Sequence, residues 1–130
     1  MTPKNTKTGS CLCGEVAYEI TGPLSHVTAC HCIQCRKTTG HFMAATNAAH
    51  ADFRLTRATG LKWYRASDFA KRGFCAICGA TLFWQHDDKD SIAITAGTLD
   101  GKTGLKTDRH IFCEFAGDYY DIDDTQQTLK

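Results

Sequence analysis

Ala29-Cys30-His31-Cys32-Ile33-Gln34-Cys35-Arg36-Lys37 carries the densest chemistry in the chain, with three cysteines in six residues as C-x-C running into C-x-x-C. Thiolates this close can turn inward on one metal ion, and zinc is the usual ion for such a soft site. If residues 29–32 are extended, Cys30 and Cys32 share a face and Cys35 returns across a turn. His31 then points the other way, as a hydrogen-bonding or packing residue. Three protein thiolates leave a tetrahedral position open for chemistry. A distant histidine at His26, His41 or His110 would instead close the site and make it structural. The spacing admits both arrangements.

Outward from this triad lie two cysteine pairs. Cys11 and Cys13 form a C-x-C that places both sulfurs on one face of an extended strand. Cys75 and Cys78 form a C-x-x-C knuckle followed by Gly79, where positive φ is readily reached. Together they supply four thiolates, enough for a closed structural zinc site. Such a site contributes on the order of 10 kcal/mol to folding, comparable with the net stability of a small domain. Two disulfides or unrelated core thiols are the alternative. The N-terminus has no apolar stretch after its charges and so does not read as a secretory signal, which favours metal over disulfides and a cytoplasmic location. The eighth cysteine, Cys113, stands alone and reads as a small core hydrophobe.

The rest of the chain reads as short strands. Val16, Tyr18 and Ile20 alternate before Gly22-Pro23, and Ile92 and Ile94 fall on one face. Further strands are expected at residues 26–29, 42–46, 53–55, 61–64, 70–74, 81–85 and 110–115, with one helical turn at 33–38 ended by Gly40. Tyr119 and Tyr120 are expected to complete the core. No long segment keeps a 3.6-residue period, so the fold class is mainly β, as antiparallel sheets stapled by zinc in a single domain. The expected organisation is a flexible N-terminal tail at 1–9, the zinc-binding β domain at 10–121 and a polar C-terminal tail at 122–130.

The chain has 130 residues and a formal charge of +1, which gives no global pull towards nucleic acid or an anionic membrane. No run approaches the ~18 apolar residues of a transmembrane helix. No Ser/His/Asp set or Gly-rich phosphate loop competes with the cysteines. Arg36 and Lys37, beside Cys35, are candidates to offset the charge of a zinc–thiolate site and attract an acidic substrate. Asp100, in Gly97-Thr98-Leu99-Asp100, reads first as a turn residue.

The motifs taken together resemble a known family. Gly9-x-Cys11-x-Cys13-Gly14-x-Val16, Cys30-His31-Cys32-x-x-Cys35-Arg36-Lys37, Arg72-x-Phe74-Cys75-x-x-Cys78-Gly79, Gly97-Thr98-Leu99-Asp100 and His110-Ile111-Phe112 look like the glutathione-dependent formaldehyde-activating enzymes, over about residues 9–115. The resemblance implies a β-tent fold with two zinc ions. It places Cys11, Cys13, Cys75 and Cys78 on a structural zinc. It places Cys30, Cys32 and Cys35 on a catalytic zinc whose fourth ligand is water or a substrate thiol. It implies a carbon–sulfur lyase whose partners are a small thiol, glutathione in the family's named reaction, and a small electrophile such as formaldehyde. Two other readings stand beside this one. The first is a zinc-stabilised binding module without catalysis. The second is a redox sensor whose triad loses zinc on oxidation.

Overall fold

The computed structural model describes residues 6–130. In chain order the elements are β1 (Thr6–Ser10), β2 (Ala17–Thr21), β3 (Val27–Cys30), α1 (Ile33–Thr39), β4 (Met43–Ala49), β5 (Phe53–Arg57), β6 (Leu61–Arg65), β7 (Ala70–Cys75), β8 (Thr81–His86), β9 (Ser91–Thr95), β10 (Thr107–Ile111) and β11 (Gln127–Thr128). Single 3-10 turns occur at His50–Asp52, Ala96–Thr98 and Cys113–Phe115. The protein is mainly β, as the short alternating runs require. One sheet has three strands in the order β1-β2-β5. The other has eight, in the order β11-β10-β3-β4-β9-β8-β7-β6.

Side-chain parity divides the eight-stranded sheet into two working faces. Ala48, Phe83, Ile92 and Ile94 point to the three-stranded sheet and meet Tyr18 and Ile20 of β2. Phe83 is the hub of this core. Its ring lies edge-on to Tyr18 at 5.5 Å and to Phe53 at 5.3 Å between centroids. Met43, Ala45, Trp84 and Ala93 point the opposite way and pack with Cys30, Cys32 and Cys35. Both faces of β9 are therefore covered, and Ile92, Ala93 and Ile94 are all buried.

Several expectations need correction. Residues 6–9, read as tail, belong to β1, which pairs antiparallel with β2 from Thr6↔Thr21 to Ser10↔Ala17. This strand has no apolar alternation, and its order comes from the backbone ladder; residues 1–5 lie outside the described residues. Not every pairing is antiparallel, because β10 runs parallel to both β3 and β11. The strand expected at 110–115 stops at Ile111, where Phe112 enters the left-handed region (φ 55°). The C-terminal tail is also engaged: Leu129 donates its N–H to the His110 carbonyl at 2.8 Å. Tyr119 is exposed and Tyr120 only half-buried, so neither completes the core. Cys113 is likewise half-buried. No described helix is long and apolar enough to cross a membrane.

Candidate metal centre

The four-cysteine group is built by two matched turns. Residues 11–16 are not an extended strand, as C-x-C spacing suggested, but a tight turn joining β1 to β2. Its Gly14 sits at φ 83°, as does Gly79 in the turn after β7. Each glycine donates its N–H back to the first cysteine's carbonyl, Gly14 to Cys11 at 3.3 Å and Gly79 to Cys75 at 2.8 Å. The reversal supplies what extended geometry was expected to supply, two sulfurs on one side. All four sulfurs lie within 4.8 Å of one another. Cys13 Sγ is 3.7 Å from both Cys11 Sγ and Cys75 Sγ. A tetrahedron of sulfurs about zinc at ~2.3 Å has edges of about 3.8 Å. A disulfide needs ~2.0 Å, and all eight cysteines are free. Backbone N–H groups already face the sulfurs, with Val16 donating to Cys11 Sγ at 3.3 Å and Cys78 to Cys75 Sγ at 3.5 Å. N–H groups of Cys13 and Ala80 hold the Cys78 thiol down to about 6. The donor set fits zinc on the distances between its sulfurs and on its all-thiol chemistry.

Cys30, Cys32 and Cys35 form the second group, also within 4.8 Å of one another. Cys30 ends β3, Cys32 caps α1, and Cys35 lies in the helix's first turn. The Cys35 N–H donates to Cys32 Sγ at 3.3 Å, so the cap that starts the helix also aims the ligand. No histidine joins this group. His31 points away, as alternation requires. His110 lies on the far side against His31, and His41 bonds the Tyr119 hydroxyl at 2.7 Å.

Arg72 was quoted within a motif but given no role, and the structure gives it a prominent position. It is 5% exposed and sits on the triad face of β7. Its guanidinium donates to Cys35 Sγ at 3.4 Å, Gln34 Oε1 at 3.3 Å and Met43 Sδ at 3.6 Å. Among the described residues no carboxylate pairs with it. A buried cation without an acidic partner needs another anion, and three thiolates about a divalent ion carry one net negative charge. The Cys30 thiol's hydrogen bond, and after it Arg72, draw the Cys35 thiol down, while Cys30 is driven up. Arg36 and Lys37, the expected counter-charges, are both exposed, and Arg36 instead donates to the Phe115 carbonyl at 3.1 Å. The inward register of Arg72 in β7 was the signal available in the sequence.

Behind the triad runs a chain of hydrogen bonds that also escaped the sequence reading. Gln126 donates its amide to the Thr107 carbonyl at 2.7 Å, leaving Oε1 to accept from His110 Nε2 at 2.7 Å. His110 Nδ1 then accepts from His31 Nε2 at 3.0 Å, and His31 Nδ1 accepts from the Tyr120 hydroxyl at 2.5 Å. Burial first, and then the neighbouring His110 and His41 rings, pull the His31 imidazole below its ordinary value. Tyr120→Phe leaves the fully buried His31 without its donor. The expected loss is about 1–2 kcal/mol of stability, read by urea denaturation; an unchanged midpoint would remove the clamp's role.

The triad opens onto a cavity of about 560 Å³. Its floor is the face of the eight-stranded sheet defined above, and α1 and the segments near Phe69 and Phe115 form its walls. Asp100 is not part of it. Its carboxylate accepts from the Thr8 hydroxyl at 2.8 Å and anchors the turn to β1.

Known proteins resemble this chain in sequence and fold. An uncharacterized lyase of Schizosaccharomyces pombe is 28% identical over 116 residues, covering 88% of this chain and 83% of that protein. The crystal structure of a Rhodobacter sphaeroides protein is similar with TM-score 0.62 and 28% identity, over 75% of this chain and 91% of that one. The model of the glutathione-dependent formaldehyde-activating enzymes matches residues 6–115, so the chain, with both cysteine groups inside that match, belongs to this family.

Proposed function

We propose that this protein is a zinc-dependent carbon–sulfur lyase that adds a small thiol to formaldehyde or another small electrophile, or reverses that addition. In this reading Cys11, Cys13, Cys75 and Cys78 hold a structural ion, and Cys30, Cys32 and Cys35 hold a catalytic one. The observation that carries the reading is a three-thiol group facing a cavity with no fourth His, Cys, Asp or Glu among the described residues. Zinc held there would supply a Lewis-acidic position at which a thiol ionises near neutral pH. Arg72 balances the charge of the cysteine sulfurs and fixes Cys35 in place. The sheet floor and α1 bury Cys35 and leave Cys30 and Cys32 half-buried at the cavity. The His31–His110–Tyr120 chain holds the peptide between Cys30 and Cys32 rigid. Among the described residues no carboxylate or histidine lines the cavity, so none of them is placed there as a general base. The named relative in Schizosaccharomyces pombe, a lyase, supports the reaction class.

The test is exchange NMR on glutathione plus formaldehyde, repeated with a plain alkyl thiol, with and without zinc-loaded protein. The adduct forms spontaneously, so the uncatalysed rate is the control. Faster exchange with at least one of the two thiols that disappears in Cys32→Ser, with the fold retained by circular dichroism, is the expected result. Unchanged exchange in the folded variant would sink the assignment.

A further inference from the structure

Building on that reading, we propose that the thiol taken at the triad carries an apolar, ring-sized body rather than the charged peptide of glutathione. The walls decide this. Among the described residues, Arg72 and Arg109 are the only charged side chains of the Asp, Glu, Lys and Arg type lining the cavity, and no aspartate or glutamate does. Glutathione brings two carboxylates and an ammonium group. The ammonium has no acidic partner among the described residues; the neutral polar side chains Thr28, Gln34, Asn47 and Ser67 are spread through an otherwise apolar lining, and desolvating a charge there without a counter-ion is costly. Arg72 already donates to Cys35 and Gln34, and its one nitrogen without a partner, Nε, is buried out of a ligand's reach. Arg109, whose guanidinium reaches the Thr28 hydroxyl at 3.3 Å, leaves one cation for at most one anionic group.

The mouth points the same way. Ile33, Phe69, Phe112 and Phe115 line the cavity yet remain 40% to 53% exposed. Four large apolar side chains around one opening form a surface that an apolar ligand would cover. Phe112 presents its ring from a left-handed backbone (φ 55°), a conformation unfavourable for a bulky residue and most informative where it occurs at a site. Trp84 and Met43 extend the apolar lining inward.

The experiment uses protein loaded with cobalt(II) and reads the ligand-field bands as thiols are titrated in. Benzyl mercaptan, glutathione and 2-mercaptoethanol offer the same primary thiol on an aryl, a peptide and a small polar body. Covering one ring with these walls should favour benzyl mercaptan over glutathione by on the order of tenfold to a hundredfold. The preference should shrink severalfold in Phe69→Ala and in Phe112→Gly; the glycine relieves the left-handed backbone, so that variant is expected to fold. Glutathione binding as tightly as benzyl mercaptan overturns the proposal while leaving a thiol-binding metal intact. A benzyl preference that neither variant reduces also overturns it, because the body would then lie elsewhere. Bands that no thiol alters overturn both this proposal and the open-site reading beneath it.

Discussion

Cys75→Ser is expected to cost the protein its fold, whereas Cys113→Ser is expected to leave it unchanged. Cys75 is fully buried at the end of β7, with its sulfur 3.7 Å from Cys13 Sγ and facing the N–H of Cys78. It belongs to the group that ties the β1–β2 turn of one sheet to the β7–β8 turn of the other. A hydroxyl at this position is a poor ligand for a soft site, and three remaining sulfurs hold the ion far less tightly. Losing a structural zinc removes on the order of 10 kcal/mol, which matches or exceeds the whole stability of most small domains. Circular dichroism and elemental zinc analysis read the result together. A soluble Cys75→Ser protein with native spectrum and melting temperature would show that hydrophobic packing alone holds the two sheets together. The contrast with Cys32→Ser, expected to keep the fold and lose exchange, separates the two cysteine groups by experiment.

Arg72→Met should change sign with metal content. With zinc in the triad, the guanidinium is the nearest counter-charge to an anionic cluster, and its loss is expected to lower zinc affinity of that site ten- to a hundredfold. Competition against a chromophoric chelator measures this directly, the quartet serving as the internal reference. In metal-free protein the same substitution removes a buried cation that has no carboxylate partner, and the thioether packs in its place against Met43. Stability there should be unchanged or higher by about 1–3 kcal/mol. Arg72→Lys keeps the charge but loses the planar fork that reaches Cys35 and Gln34 together, so its zinc affinity should fall between the two. Equal zinc affinity in all three proteins would mean that Arg72 is a packing residue and that the triad's charge is balanced elsewhere.

Both cysteine groups were readable before any coordinates because ligand spacing is a local property. C-x-C and C-x-x-C limit how far apart the sulfurs can lie. The backbone that achieves this was less readable: Cys11 and Cys13 converge through a glycine turn, which the same spacing permits as readily as a strand. Strands such as β2 and β9 announced themselves through alternation. β1 did not, because it is ordered by backbone pairing rather than by an apolar face. Arg72 and Tyr120 were hidden for a different reason. Each acts through a partner 37 or 89 positions away, and such pairings follow from sheet order, which a single sequence specifies weakly. Register then turns distance into contact: alternate residues of β3, β4, β7, β8, β9 and β10 all meet on one face, where the cavity forms.

The parallel pairing of β10 with β3 has a consequence for biosynthesis. Cys30 of β3 lies opposite Ile111 of β10, and His31 donates its N–H to the Ile111 carbonyl at 3.0 Å. A ribosome adding 5–20 residues per second needs about 4–16 seconds to make the ~80 residues between them. Throughout that interval the three triad thiols have emerged, or are emerging, without their final wall. The nascent chain therefore meets cellular metals and oxidants before it can shield these sulfurs, so the metal available during translation bears on how the finished protein is loaded.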